Sequence, residues 1–369
     1  MPNIKLPSPR VIFSGIQPTG VPHIGNYSGA LRQWVQLQHN EKPDTKLIYS
    51  IVDLHAITMP QTPEGLRKRK REALAALLAI GIDPERATLF YQSSVPTHSE
   101  LMWILSCTAS VGYLLRMTQW KVYFNSTPPS NERQGLTKLK SKLRLDEAKS
   151  LEDRIVGSRL KLGLFSYPVL QAADVLIHRA THVPVGPDQA QHLEFARECV
   201  TNFNAAYGKH LVPPQTLISP IQRIMSLRVP TAKMSKSHGV EKSRILITDA
   251  PKEIEAKIRS AKTDSSPKIS YDPAGRPGVS NLLDIQSIFD PEGRTGAQLA
   301  EKYSDFTSKD LKDMVTDTVI EGLGGIRERY HELLGKGDEY LDSIEAMGAE
   351  KARKSAEETM QIVRQAVGL

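Results

Sequence analysis

The feature that most narrows what this chain can fold into is an alternation, through its first half, of short apolar runs and amphipathic stretches. Val11–Ile16 is a short apolar run that ends in the loop-like string Gly15-Ile16-Gln17-Pro18-Thr19-Gly20. Pro22 to Leu37 reads as a helix, Leu47–Leu54 as a second strand and Thr88–Tyr91 as a third. Between the last two, Thr62 and Pro63 supply an N-cap and a first-turn proline. The helix they open carries Leu66, Leu74, Leu77 and Leu78 and stops at Gly81, and Ser99–Ser110 reads as another. Strands that are apolar nearly throughout must be covered on both faces, which is the condition of a parallel sheet with crossover helices. The expected fold is therefore α/β, a doubly wound, Rossmann-like parallel sheet, with ligands beyond the carboxyl ends of its strands.

This rhythm breaks between Asn125 and about Lys161, where Pro128–Pro129 and the basic cluster Lys138, Lys140, Lys142 and Arg144 show no sustained period. The segment reads as an insertion, at least partly mobile, whose lysines either form a solvated loop or meet phosphates. From Pro251 onward the pattern turns helical, with Leu311, Met314, Val315 and Val319, then Ile362, Val363, Ala366 and Val367, at helical spacing. A chain of 369 residues holds two domains. The expected division is an α/β domain over 1–250 and an all-helical domain over 251–369.

Composition excludes a few classes. With 40% hydrophobic and 24% charged residues the chain is ordinary for a soluble globular protein. No stretch approaches the roughly 20 apolar residues that span a bilayer, so no membrane role is expected. Cys107 and Cys199, the only cysteines, form no C-x-x-C pair. That argues against a structural zinc site or disulfide framework and for a reducing compartment. The formal charge of +7 suits a polyanionic partner without establishing one. Met1 to Arg10 is too short and proline-rich for a complete amphipathic presequence; a targeting segment is absent, removed or compressed there.

Two motifs carry chemistry. The first is Ser14-Gly15-Ile16-Gln17-Pro18-Thr19-Gly20 with His23-Ile24-Gly25-Asn26, placed where strand one turns into helix one. Helix-terminal N–H groups and the helix dipole make such a position an anion site. Gly15, Gly20 and Gly25 let a phosphate and ribose approach the backbone. His23 and Asn26, three residues apart, add neutral donors on one helical face. No Gly-Lys-Ser/Thr follows and no G-x-G-x-x-G is present, so this is neither a P-loop nor a dinucleotide fingerprint. Alone it also reads as a structural turn. The second motif is Lys233-Met234-Ser235-Lys236-Ser237, followed by His238. Two lysines and two serines on one short loop suit a triphosphate whose charge moves onto leaving pyrophosphate. Alone, it also reads as a solvated surface.

Taken together, the pair resembles the HIGH and KMSKS signatures of class I aminoacyl-tRNA synthetases. The resemblance narrows to the tryptophanyl members through Phe13–Gly20, Val52–Thr58, Arg116–Lys121, Tyr167–Asp174, Val183–His192, Ile224–Leu227 and Arg276–Leu283, and it is nearly full length. Tyr-Pro-Val-Leu-Gln-Ala-Ala-Asp, with the basic insertion before it, looks most like fungal mitochondrial members. The resemblance implies that Asp174 accepts the indole N–H. Indole offers one donor and no acceptor, so a carboxylate suits it, and the apolar run Val169–Ile177 points to burial of that acid. Tyr167 and Gln189 would hold the substrate ammonium, with Phe13 and His55 lining the pocket. Gln17 would lie near the carboxylate and α-phosphate. ATP, with Mg²⁺ on its phosphates, would meet Gly25 and Asn26, the ribose turn Gly186, Pro187 and Asp188, a backbone contact at Ile224, and the run Lys233, Met234, Ser235, Lys236 and Ser237. His23, Lys233 and Lys236 would carry the charge stabilisation. No protein-bound structural metal is expected.

The implied partners are L-tryptophan, ATP and tRNA(Trp), with the helical domain reading the anticodon and the chain forming a homodimer. The implied compartment is the mitochondrial matrix, or the cytoplasm for a bacterial member. Three positions depart from the family pattern: Gln171 where methionine is common against the indole, Pro187 in place of an acidic residue, and His238 where aspartate is common. Two rivals are a tyrosyl-tRNA synthetase, which shares fold and signatures, and a synthetase relative that has lost catalysis and binds RNA. The Ala-Ala-Asp run favours indole over phenol. The intact His23, Lys233, Ser235 and Lys236 favour catalysis.

Overall fold

The structure, a computed structural model, describes residues 9–117, 161–186, 189–218, 223–236 and 239–369. All but the last residue of the insertion expected at 125–161 lies outside the described residues, as do Pro187, Asp188, Ser237 and His238. Among the described residues five strands form one parallel sheet: β1 (Val11–Ile16), β2 (Lys46–Ile51), β3 (Thr88–Tyr91), β4 (His182–Val185) and β5 (Gln215–Ile218). Their order is β3-β2-β1-β4-β5, so the chain winds one way from β1 and then the other. This is the doubly wound α/β sheet that the apolar runs implied.

Alternation along each strand divides the core. Ile12, Leu47, Tyr49, Ile51 and Leu89 face one hydrophobic cluster, and Val11, Phe13, Ile48, Phe90 and Val183 face the other. Both faces are dry because both are covered. On the first lie α2 (Arg32–Asn40), α4 (Pro63–Ala79), α9 (Pro251–Arg259), α10 (Pro277–Ile288), α11 (Gly296–Lys302) and α12 (Ser308–Gly335). On the second lie α5 (Thr97–Ser106), α6 (Val111–Arg116), α7 (Leu162–Ile177) and α8 (Ala190–Tyr207).

Local chemistry sets the element ends. Thr62 Oγ1 accepts the Gly65 N–H at 3.2 Å with Pro63 in the first turn, and Gly81 leaves the helix at φ +106°, a conformation that favours glycine. The first helix runs as α1 (Ile24–Asn26), a π turn at Tyr27–Leu31, and α2. β2 ends at Ile51 rather than Leu54. Asp53 opens the short helix α3 (Asp53–Ala56), its carboxylate accepting the Ser93 N–H at 2.9 Å. The helix expected at Ser99–Ser110 ends at Ser106, and Ser110 caps a new one by accepting the Tyr113 N–H at 3.2 Å. Among the described residues no strand follows β5, and no helix is long and apolar enough to cross a membrane.

The last helix, α13 (Asp338–Val367), ties the two halves of the chain together. Leu341 and Ile344 belong to the first core and Ala352, Ala356, Met360 and Val363 to the second, so α13 crosses the sheet's edge at β3. The crossing is close: a Cβ on Gly348 would stand 1.8 Å from the carbonyl oxygen of Leu89. It covers an edge that would otherwise offer unpaired backbone groups. Replacing Gly348 with alanine is expected to lever α13 off β3. The cost should be about 1–3 kcal/mol, against less than about 1 kcal/mol regained from alanine's helix propensity. Calorimetry should show a Tm lowered by a few degrees; an unchanged or higher Tm would mean the close crossing does not constrain the fold.

Candidate active site

Parallel pairing brings the carboxyl ends of all strands to one side of the sheet. There β1 runs into the Gln17–Gly20 turn and His23, β2 into α3 with His55, β3 into Gln92, and β4 into Gly186. The strand order reverses between β1 and β4, the position at which such sheets open a crevice.

The turn after β1 depends on Gly20, which holds φ +88°. Gln17 is exposed on it, its carbonyl accepting the Thr19 N–H at 2.8 Å. His23 then caps the first helix. Its Nδ1 accepts the Asn26 N–H at 3.2 Å, while Asn26 Oδ1 accepts the His23 N–H at 3.2 Å. With Nδ1 an acceptor, the ring proton sits on Nε2. Burial pushes the His23 pKa down to about 3, and the charges of Lys236, Lys233 and Arg244 act in the same direction. His23 is therefore a neutral N–H donor at physiological pH. A Cβ on Gly25 would lie 3.1 Å from that ring and 3.5 Å from Ile224 Cβ, so His23, Gly25 and Ile224 meet.

The lysine-serine loop is anchored at the same place. Met234 is buried and its N–H donates to Ile224 O at 3.0 Å, while Lys233 pairs with Met225 in an isolated antiparallel bridge. Asn281 of α10 clasps Met225, accepting its N–H at 2.7 Å and donating to its carbonyl at 3.0 Å. Lys236 Nζ reaches the first motif, donating to Gly20 O at 2.7 Å, Thr19 Oγ1 at 3.2 Å and Thr19 O at 3.3 Å. The two motifs thus touch through one ammonium group. Burial, then the charge of Arg244, lowers the Lys236 pKa to about 8 against the opposing pull of Glu72. Lys233 is exposed and Ser235 half-buried on the same loop.

A second constellation sits on α7. Asp174 is buried, as its apolar surroundings in the sequence implied, at 1% exposure. Its Oδ2 is 2.8 Å from His55 Nε2; its Oδ1 accepts from Gln92 Nε2 at 2.6 Å and from His98 Nδ1 at 2.7 Å. Burial alone would raise the carboxyl pKa. The hydrogen bonds and charges of His55 and His98 overcome that and hold it below the usual carboxylate range, so Asp174 is ionised. Tyr167, Gln171 and Asp174 follow one another along one side of α7. Tyr167 OH lies 3.0 Å from His192 Nε2 and its ring stands edge-on to His55, 6.2 Å between centroids. Gln171 Nε2 donates to Gln189 Oε1 at 3.3 Å. The Gly186 carbonyl, just past β4, accepts the Gln189 N–H at 3.0 Å. Phe13 is a core residue stacked on His178, 5.7 Å between centroids.

The structure therefore brings Tyr167, Gln189, His55 and Asp174 to one constellation, and His23, Gly25, Ile224 and Lys233–Lys236 to another. Sequence reasoning missed Gln92, His98, His178 and Asn281. A faint signal existed for two of them: Gln92 directly follows β3, where ligands gather, and His98 falls at helical spacing with the apolar Leu101 and Leu105. Nothing local marks Asn281.

The chain matches the family described as tRNA synthetases class I (W and Y) over residues 7–324. It is 43% identical to the mitochondrial tryptophan–tRNA ligase of Saccharomyces cerevisiae, across 98% of this chain and 92% of that one. Identity to the tryptophan–tRNA ligase of Bacillus subtilis is 40%, across 98% of each. The crystal structure of tryptophanyl-tRNA synthetase from Campylobacter jejuni, complexed with ADP and tryptophan, is similar with a TM-score of 0.75 at 32% identity, covering 98% of this chain and 100% of that one. A tyrosyl-tRNA synthetase from Archaeoglobus fulgidus, 20% identical with a TM-score of 0.60, shares the fold alone. From the family match over most of its length and the full-length identity to tryptophan–tRNA ligases, the chain belongs to the class I tRNA synthetases, on their tryptophanyl branch.

Proposed function

We propose that this chain activates L-tryptophan with ATP and transfers it to tRNA(Trp), with Asp174 as the reader of the indole N–H. The observation that carries the residue assignment is the state of Asp174. Its two carboxylate oxygens offer about four acceptor directions. Gln92 and His98 take two on Oδ1 and His55 takes one on Oδ2, so Oδ2 retains one for a further donor. A fixed, ionised carboxylate with a single remaining acceptor direction complements indole, which donates once and accepts nothing. A phenol both donates and accepts, and it calls for a different set of partners. Around this point Phe13, His55, Tyr167 and Gln189 form the tryptophan site, with Tyr167 and Gln189 at the ammonium end.

The chemistry then needs no protein nucleophile. The tryptophan carboxylate attacks the α-phosphorus of ATP in line, forming a P–O bond as the bond to the bridging oxygen of pyrophosphate breaks. The products are tryptophanyl-adenylate and pyrophosphate. The 2′-hydroxyl of the terminal tRNA adenosine then attacks the activated carbonyl carbon, and AMP leaves. Positioning and charge compensation carry the first step. His23 offers a neutral Nε2–H, and Lys233 and Lys236 offer ammonium groups to the phosphates. Gln17, Gly25, Asn26, Ile224, Met234 and Ser235 supply the rest of the ATP site, with Gly186, Pro187, Asp188 and Ser237. Mg²⁺ enters as part of the substrate, carried on its phosphates.

The wider assignments rest on family likeness. The helices from Pro251 onward read the anticodon, and the compartment is the mitochondrial matrix, in keeping with the fungal mitochondrial relatives. The homodimer reading gains support from Trp103, Val111 and Leu162, which stay 71%, 48% and 78% exposed on α7 and on the two helices that pack against it, α5 and α6. Exposed apolar groups gathered in this way mark an interaction surface.

Pyrophosphate exchange is expected to depend on tryptophan and to be negligible with tyrosine; equal rates with both would overturn the indole reading. Lys233→Ala should lower adenylate formation by about 10²–10³-fold while tryptophan affinity changes little; exchange at the wild-type rate would remove Lys233 from the chemistry. The pH dependence follows from the two shifted groups. Lys236 is a cation below about pH 8 and loses its charge above it. The kcat/KM for ATP should therefore fall as pH rises through that value, and the fall should disappear in Lys236→Arg. His23, neutral throughout, should contribute no inflection between pH 5 and 8.

A further inference from the structure

The hydrogen bonds of Asp174 continue away from the crevice. His98 Nε2 faces His178 Nε2 at 3.3 Å, and His178 Nδ1 faces Ser355 Oγ of α13 at 3.2 Å. His98 is fully buried, at 0% exposure, and His178 is at 3%. Both rings are packed by Phe90, and Phe13 stacks on His178. Two histidines enclosed by apolar rings are costly unless each nitrogen finds a partner. Here each does.

Ionised Asp174 only accepts, so His98 must carry its proton on Nδ1. His98 Nε2 and His178 Nε2, 3.3 Å apart, share one proton, so that one ring donates and the other accepts. His178 Nδ1 and the Ser355 hydroxyl close the far end at 3.2 Å. Burial, reinforced by the neighbouring His98, pushes the His178 pKa well below its usual value, so this ring is neutral. A continuous hydrogen-bonded path therefore links Ser355 of the C-terminal helix, through His178 and His98, to the acid of the proposed tryptophan site.

We propose that His98 is a positioning residue for tryptophan recognition: with its own ring held by His178 and Ser355, it fixes the Asp174 carboxylate in the rotation that turns the remaining acceptor direction of Oδ2 toward the indole N–H. The geometric reason is the division of labour between the two oxygens. Gln92 and His98 both hold Oδ1, from the turn after β3 and from α5, and so pin the plane of the carboxylate. Without the His98 bond, one donor on each oxygen remains, and a carboxylate so held is freer to turn about its Cβ–Cγ bond. His98 never touches the substrate; it acts through Asp174. The link also makes tryptophan recognition depend on how α13 seats against the sheet, since Ser355 stands at its far end.

This inference rests on the assignment of Asp174 to the indole N–H, and the two are separable by one experiment. The probe is 3-benzothienylalanine, a tryptophan isostere in which sulfur replaces the indole N–H. The quantity is the ratio of kcat/KM in pyrophosphate exchange for tryptophan over the isostere. A site built to bond a donor rejects the analogue that lacks it, so the wild type should show a ratio of about 10–100. A wild-type ratio near one would sink the Asp174 assignment itself.

Given a wild-type preference, two conservative variants test His98. The amide nitrogen of asparagine reaches the place of histidine Nδ1, and that of glutamine the place of Nε2. His98→Asn keeps the bond to Asp174 and should retain most of the ratio. His98→Gln keeps the contact toward His178 but loses the bond to Asp174. Its ratio should fall to within a few-fold of one, with the KM for tryptophan raised about tenfold or more, kcat changed much less and the KM for ATP unchanged. If the glutamine variant keeps the wild-type ratio, or if the two variants lose it equally, the positioning role is refuted. Near-UV circular dichroism establishes that both variants are folded before they are compared. His178→Phe, which leaves His98 Nε2 unpartnered, should fall between the wild type and His98→Gln; a ratio equal to the wild type would cut His178 and Ser355 out of the device.

Discussion

An ionised carboxylate held at 1% exposure inside an apolar helix is the constraint around which this structure is organised. Taking such a charge out of water costs several kcal/mol unless donors replace the solvent. Asp174 obtains its donors from three separate places: His55 on α3 after β2, Gln92 in the turn after β3, and His98 on α5. None of the three is near it in sequence. Satisfying the charge therefore fixes where the loops after β2 and β3 sit relative to α7, and with them one wall of the crevice. The demand of the charge and the shape of the proposed substrate site are set by the same bonds.

A second electrostatic constraint joins the turn after β1 to the lysine-serine loop. Lys236 is drawn into the turn after β1 by three oxygens of Thr19 and Gly20, although its burial and the charge of Arg244 both weaken its hold on a proton. Burial, aided by the same cluster of cations, keeps His23 neutral. A region gathering this much positive potential against neutral N–H groups is suited to a polyphosphate. A triphosphate would compete with the turn's carbonyl groups for the Lys236 ammonium. Asn281 links that region to α10, so the helical part of the chain bears directly on where the lysine loop stands.

The helical segment from Pro251 is not packed as a separate body with a core of its own. Ile254, Ile258, Leu311 and Val315 share one core with Ile12 and Leu47 of the sheet, and α13 continues past the β3 edge into the other core. This wrapping explains how Ser355, late in the chain, comes to terminate a hydrogen-bonded path that begins at Asp174. Small residues along α13, with Gly348 against Leu89, permit the close crossing on which that path depends.

Much was legible in the sequence, for reasons of locality. Apolar runs at Val11–Ile16 and Thr88–Tyr91 dictate strands and Thr62 and Pro63 dictate a helix start, while the Gln17–Gly20 turn and the Lys233–Lys236 loop, each ambiguous alone, drew their phosphate reading from occurring as a pair and from the family resemblance. The burial of Asp174 was readable too, because its neighbours on the helix are apolar. The break of the helix expected at Ser99–Ser110 was not, because Ser110 serves as a cap only once the chain has turned there. Nor could Gln92, His98, His178, Ser355 and Asn281 be assigned. Each is a common polar residue whose role consists wholly of a partner far along the chain, and sequence periodicity carries no information about such pairings. Local propensity and patterning determined the elements, and the pairing of the two motifs suggested their chemistry. Only the tertiary structure decided which donors surround the buried carboxylate, because those contacts exist only when the parallel sheet has brought the ends of its strands together.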